Sequence, residues 1–97
     1  MATFVSLLSY TQQGIAGIKD SPKRLDQARE AFQGMGITIK EVYLTMGEHD
    51  LMIIFDAPDS ETVAKALLMI GAQGNVSTTT MPAFGEDSYR EIVGSLM

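Results

Sequence analysis

Two hydrophobic rhythms alternate along the chain, and their order predicts its elements. From Thr3 to Tyr10 the residues are mostly β-branched, aliphatic or aromatic, with no Gly or Pro, a strand composition that stops at the polar Thr11-Gln12-Gln13-Gly14. A short segment, Gly14-Ile15-Ala16-Gly17-Ile18, leads to Asp20-Ser21-Pro22-Lys23. There Ser21 suits an N-cap, and Pro22 suits the first helical position, whose N–H has no helical partner. Leu25, Ala28, Phe32 and Met35 then recur at helical spacing, which predicts one apolar stripe on a helix closed by Gly34 and Gly36.

Ile37 to Met46 and Leu51 to Phe55 are two further strand-like runs, and the Gly47-Glu48-His49-Asp50 link between them has hairpin length and composition. They are expected to pair antiparallel. Ala57-Pro58-Asp59-Ser60-Glu61 supplies a stop and a new N-cap. After it, Val63, Ala64, Leu67, Leu68 and Ile70 predict the apolar face of a second helix ending at Gly71 or Gly74, with Glu61 and Lys65 as an i,i+4 ion pair. Val76 to Met81 is the fourth strand, terminated by Pro82 and Gly85. A last short helix starts at Glu86 and carries Tyr89, Ile92, Val93 and Leu96 on one stripe, with acidic residues in the first turn where the helix dipole favours them.

The order strand, helix, strand, strand, helix, strand, helix, with right-handed and un-knotted connections, predicts an α+β fold of the ferredoxin-like βαββαβ type. Its four-stranded antiparallel sheet carries both main helices on one face, and a C-terminal helix follows. The first and third strands are central in that topology. Leu51, Ile53 and Phe55 alternate with Met52 and Ile54, and Phe4 and Leu8 alternate with Val5 and Leu7, so both faces of the sheet are apolar. A face left to water would alternate with polar residues, so something else is expected to cover it. Two covers are available: a second copy of the chain, sheet against sheet, or the C-terminal helix folded across the face. The second copy is the stronger expectation, which makes self the first partner, in a homodimer or higher oligomer.

A chain of 97 residues is expected to form one domain, residues 1–97. Hydrophobic residues make up 45% and charged residues 20%, as in globular proteins, and no apolar run approaches the roughly 20 residues that span a bilayer. The N-terminal residues lack the basic stretch and long apolar core of a signal peptide, so a cytoplasmic location, with no membrane partner, is the default expectation. The absence of cysteine excludes disulfides, thiolate metal sites and cysteine nucleophiles. With a single histidine besides, no metal site and no cofactor are implied. The net charge is −5, and it is uneven. Residues 1–45 hold five basic and four acidic groups, whereas residues 46–97 hold two and eight. Such a surface repels phosphate backbones, so nucleic acid is not an expected partner.

His49 beside Asp50 is the first candidate for acid–base chemistry, because imidazole titrates near neutrality and a carboxylate can orient it. Neighbours on an extended strand point to opposite faces, however, which argues against a direct pair and leaves a turn histidine as the plain reading. Tyr10 is the third catalytic candidate, and Tyr10 and Tyr43 are both possible phenol donors to a ligand. Arg24, with Asp20, Ser21 and Lys23, gathers at the start of the first long helix, where free N–H groups and cations could receive a carboxylate or phosphate. An N-cap with a surface ion pair is the alternative there. Thr78 and Thr80, with Ser77 and Thr79, could line a polar pocket, or serve only as edge-strand residues. The seven methionines are most simply core and interface filler.

Several separated motifs coincide in order with those of a known family. These are Thr11 to Gly14, Ile18-Lys19-Asp20-Ser21-Pro22 with Arg24, Tyr43 to Asp50, Ala57-Pro58-Asp59, and Gly74-Asn75-Val76 with Thr78 and Thr80. Over essentially its whole length the chain closely resembles the GYD domain family of small bacterial and archaeal proteins. The resemblance implies a dimeric α+β barrel type of domain and assigns no biochemical activity. The family's hairpin signature runs Gly, any residue, Tyr, Asp; Gly47 and Asp50 stand in place, but His49 replaces the tyrosine. Two classes of function follow. One is a homo-oligomeric ligand-binding or interaction module. The other, by analogy with the fold alone, is a small oxygenase- or isomerase-like enzyme using His49, Asp50, Tyr10, Tyr43 or Arg24.

Overall fold

A computed structural model describes residues 1–96. The elements are β1 (Ala2–Tyr10), α1 (Gln12–Ala16), a 3-10 turn (Ile18–Asp20), α2 (Ser21–Gly34), β2 (Thr38–Leu44), β3 (Leu51–Ala57), α3 (Ser60–Ala72), β4 (Val76–Ala83) and α4 (Glu86–Gly94). The sheet order is β2-β3-β1-β4, all antiparallel, so β1 and β3 are central as the sequence pattern predicts. Phe4, Leu8, Ile53 and Phe55 turn toward the helices and are buried with Phe32 of α2 and Val63 and Ala66 of α3. Phe55 anchors this core, stacking on Phe4 at 5.7 Å between ring centroids and meeting the edge of Phe32 at 6.4 Å. Among the described residues the one buried polar side chain, Ser6, lies in the same layer and shares a 2.7 Å hydroxyl hydrogen bond with Thr80, which keeps it satisfied.

Local chemistry departs from the sequence pattern at five places. The segment after β1 folds into a short helix because the Thr11 hydroxyl accepts from the Gly14 N–H at 3.1 Å, a cap that the polar stretch disguises as a loop. Ser21 lies inside α2 and does not cap it: Asp20 holds the cap position without a side-chain bond, and the Ser21 hydroxyl lies 3.1 Å from that of Tyr10. In β2 a bulge between Ile39 and Glu41 resets the alternation, which lets Ile39 and Val42 both reach the core. On α3, Val63 and Ala66 are the buried pair while Ala64 and Leu68 are exposed, so its inward stripe is displaced from the one the spacing suggests. Pro82 does not end β4. It sits in an edge strand, paired with Phe4 on one side, where a missing N–H leaves the ladder intact.

The end of α2 is as expected, and its geometry explains both flanking residues. Gly36 takes φ +83°, and its N–H and that of Ile37 bond back to the carbonyls of Gln33 and Phe32, satisfying helix-end acceptors that would otherwise be orphaned. At the start of α3 the Asp59 carboxylate accepts from the Thr62 N–H at 2.7 Å. The predicted Glu61–Lys65 pair forms on the exposed face at 3.9 Å.

The second face of the sheet is open within the chain. Val5 and Leu7 of β1, Met52 and Ile54 of β3, Tyr43 of β2 and Met81 of β4 share it, as the register dictates. The C-terminal helix does not fold across it. Every described residue of α4 is exposed, including Tyr89, Ile92 and Val93, and the molecule is drawn out to 52 × 31 × 18 Å.

Candidate functional site

On the helix side, α2 and α3 do not close over the sheet at its Tyr10 end, and the gap is a cavity of about 120 Å³. The small side chains Ala28 and Ala31 of α2 leave that space, Met69 and Ile70 of α3 form the opposite wall, and Leu8 and Ile53 form the floor. Polar groups gather elsewhere on the lining: the hydroxyls of Tyr10 and Ser21, the guanidinium of Arg24 and the amide side chains of Gln73 and Asn75.

Arg24 is fixed by the loop it faces. Its Nη1 donates to the Gly17 carbonyl at 2.9 Å and its Nη2 to that of Gly14 at 3.5 Å. Gly14 is buried and its Cα lies so close to the Asn75 carbonyl oxygen that a Cβ would overlap it, so a side chain is excluded by space. Thr11 ties the same loop to the far end of α3, its hydroxyl donating to the Gly74 carbonyl at 2.6 Å and its N–H to that of Asn75 at 3.0 Å. The α1 loop thereby brings Arg24, Asn75 and the end of β1 together. These residues are scattered along the sequence.

Of the sequence candidates, Tyr10 and Arg24 meet at this cleft and the others lie elsewhere. Asp50 braces the end of β1: its carboxylate accepts from the Tyr10 N–H at 2.8 Å while its own N–H donates to the Leu8 carbonyl. His49 is half-buried with Nδ1 3.4 Å from the Ser9 hydroxyl. The Asp50 carboxylate is engaged by the Tyr10 main chain and the His49 ring by the Ser9 side chain, and among the described residues no hydrogen bond or ion pair joins His49 to Asp50. Tyr43 stands half-exposed on the open face, opposite to that of Tyr10. Thr80 bonds Ser6, and neither it nor Thr78 lines the cleft. Ser21, grouped with Arg24 in the sequence, lines the cleft beside it, whereas Gln27, Gln73 and Asn75 are lining residues that sequence reasoning missed.

A four-stranded antiparallel sheet with two helices on one face and a cleft between them defines a ferredoxin-like α+β domain. The chain belongs to the GYD domain family, whose sequence profile matches residues 4–93. A relative from Thermus thermophilus, named glutamine synthetase and cystathionine beta-lyase binding protein, is 29% identical over 84 residues, covering 86% of this chain and 88% of that one. Among solved structures, the fold is shared with MtbAldR at a TM-score of 0.68 and 15% identity, with 88% of this chain aligned; this chain spans 52% of that protein's length. Among the described residues no helix is long and apolar enough to cross a membrane.

Proposed function

We propose that this chain is a non-catalytic interaction module, which assembles with copies of itself through the open face of its sheet and holds further ligands or protein partners. The observation that carries this reading is the open face itself. Val5, Leu7, Met52 and Ile54 make an apolar centre, and Glu41, Asp56, Ser77 and Thr79 surround it, the arrangement of an interface with a polar rim. At about 25 cal/mol per Å², covering several hundred Å² of such surface contributes several kcal/mol, comparable to the whole stability of a small domain. Tyr89, Ile92 and Val93 on α4 are exposed too and make a second unpartnered apolar stripe. The name of the T. thermophilus relative, a protein that binds two enzymes, supports partners that are proteins.

Two adjacent residues separate assembly from folding. Ile53 faces the helices and is buried, whereas Ile54 lies on the open face. Ile54→Asp should leave the fold intact and shift the mass seen by light scattering to the 10.5 kDa of one chain, while Ile53→Asp should unfold it. A wild-type protein that scatters as a single chain at micromolar concentration would overturn the proposal.

A further inference from the structure

We infer that the cleft between α2 and α3 binds a small monocarboxylate with a short apolar body and no amino group. This deepens the reading of the chain as a binding module and rests on that reading, but needs no second copy. Charge is the first argument. The chain carries a net −5, yet among the described residues Arg24 is the one charged side chain on the cleft lining, and no carboxylate joins it. A half-buried guanidinium with no ion-pair partner among the described residues and no carboxylate on the cleft lining is complementary to one negative charge.

Donor chemistry narrows the anion. Two N–H groups of Arg24 are committed to the Gly14 and Gly17 carbonyls, which hold the side chain in place before any ligand arrives. The remaining N–H groups of the guanidinium are available in a planar fork that matches a carboxylate. Tyr10 and Ser21 share one hydrogen bond, so only one of their two hydroxyl protons is consumed and the other is free to donate to the same anion. Apart from the neutral amides Gln27, Gln73 and Asn75, the remaining lining is apolar and sets the body of the ligand. Ala28, Met69, Ile70 and the Leu8 and Ile53 floor offer only apolar contact, and about 120 Å³ is well below the roughly 300 Å³ at which drug-sized pockets begin. An ammonium group would enter this space without a carboxylate to pair with, at the cost of its hydration. A free amino acid is therefore disfavoured against the corresponding acid lacking the amine.

The test is an amide NMR titration of the full chain with sodium 4-methylpentanoate, with leucine and 4-methylpentan-1-ol as probes of the same body. The acid should give saturable shifts at Arg24, Asn75 and Ile70, and should bind at least about tenfold more tightly than the alcohol, the scale of a lost charge-assisted hydrogen bond, and by a similar factor more tightly than leucine, whose ammonium is desolvated without a partner. Arg24→Gln should weaken it by a similar factor. Because Arg24 also ties down the α1 loop, Ala28→Trp serves as a second variant that fills the cleft and leaves the guanidinium in place; it should abolish the shifts. The inference is overturned by an absence of saturable shifts, by leucine or the alcohol binding as tightly as the acid, or by Ala28→Trp binding like the wild type. Light scattering on the same samples keeps the outcomes apart, since an assembled protein that ignores the acid removes the ligand and leaves the assembly standing.

Discussion

His49 is a side chain whose role is set by its immediate neighbours. Its ring rests at the sheet end, with Nδ1 3.4 Å from the Ser9 hydroxyl, and a tyrosine ring with its own polar tip can occupy a similar place. His49→Tyr should therefore leave the melting temperature nearly unchanged, whereas His49→Ala should cost about 1 kcal/mol through lost packing and a lost hydrogen bond. Calorimetry on the two variants checks this, and equal melting points for both would remove the structural role. Asp59 offers a pH test at the same scale. The Thr62 backbone N–H and then the Thr62 hydroxyl hold its carboxyl below the usual aspartate value, with Lys65 adding a weaker pull in the same direction. A depressed carboxyl contributes stability that is fully present above its ordinary unfolded value and lost as pH falls through the folded one. Asp59→Ala should accordingly melt earlier at neutral pH, and the gap from wild type should shrink as the pH drops below the usual aspartate range. A gap independent of pH would mean that the cap does not act through its charge.

Among the elements, α1 and α4 sit at opposite extremes of tertiary support. The five residues of α1 are too few to be stable alone, and they persist because Thr11 bonds Gly74 and Asn75 while Gly14 lies against the Asn75 backbone. Gly14→Ala should cost about 1–3 kcal/mol, because the neighbour that must yield is main chain and not a flexible side chain. Chemical denaturation measures the loss, and a variant as stable as wild type would show that the loop can move away. In contrast, α4 owes little to its own domain: all its described residues are exposed, and its regularity comes from local features such as the Glu86–Arg90 pair, in which Nε and Nη2 of Arg90 both donate to one Glu86 carboxylate oxygen. Truncation after Gly85 should leave the unfolding transition of the remaining chain cooperative and lower the assembled fraction in light scattering. Collapse of the folded state on truncation would mean that α4 packs on its own sheet.

At the scale of the whole molecule, the chain presents one closed face and two unfinished surfaces, the open sheet and the α2–α3 cleft. The closed face was legible from one residue to the next. Alternation in Phe4 to Leu8 and Leu51 to Phe55, helical spacing from Leu25 to Met35, and Gly36 at a left-handed turn are local periodicities, and local periodicity determines element type, strand order and the burial of the Phe4, Phe32 and Phe55 cluster. Even the bulge in β2 has a trace in the sequence, the three-residue step from Ile39 to Val42. The apolar second face was legible for the same reason. The cleft was not. Arg24 and Tyr10 could be named as residue types able to bind, but their meeting with Asn75 depends on the α1 loop being clamped by Thr11 and Gly14 across more than sixty residues of sequence. His49 and Asp50, adjacent in the chain, take different partners on β1, the Ser9 hydroxyl for one and the Tyr10 main-chain N–H for the other. The sequence by itself determined which residues alternate, cap and turn, because those properties belong to neighbours. Which distant side chains share a cavity was decided by the tertiary structure, because only the packing of α2 and α3 on the sheet brings them within reach.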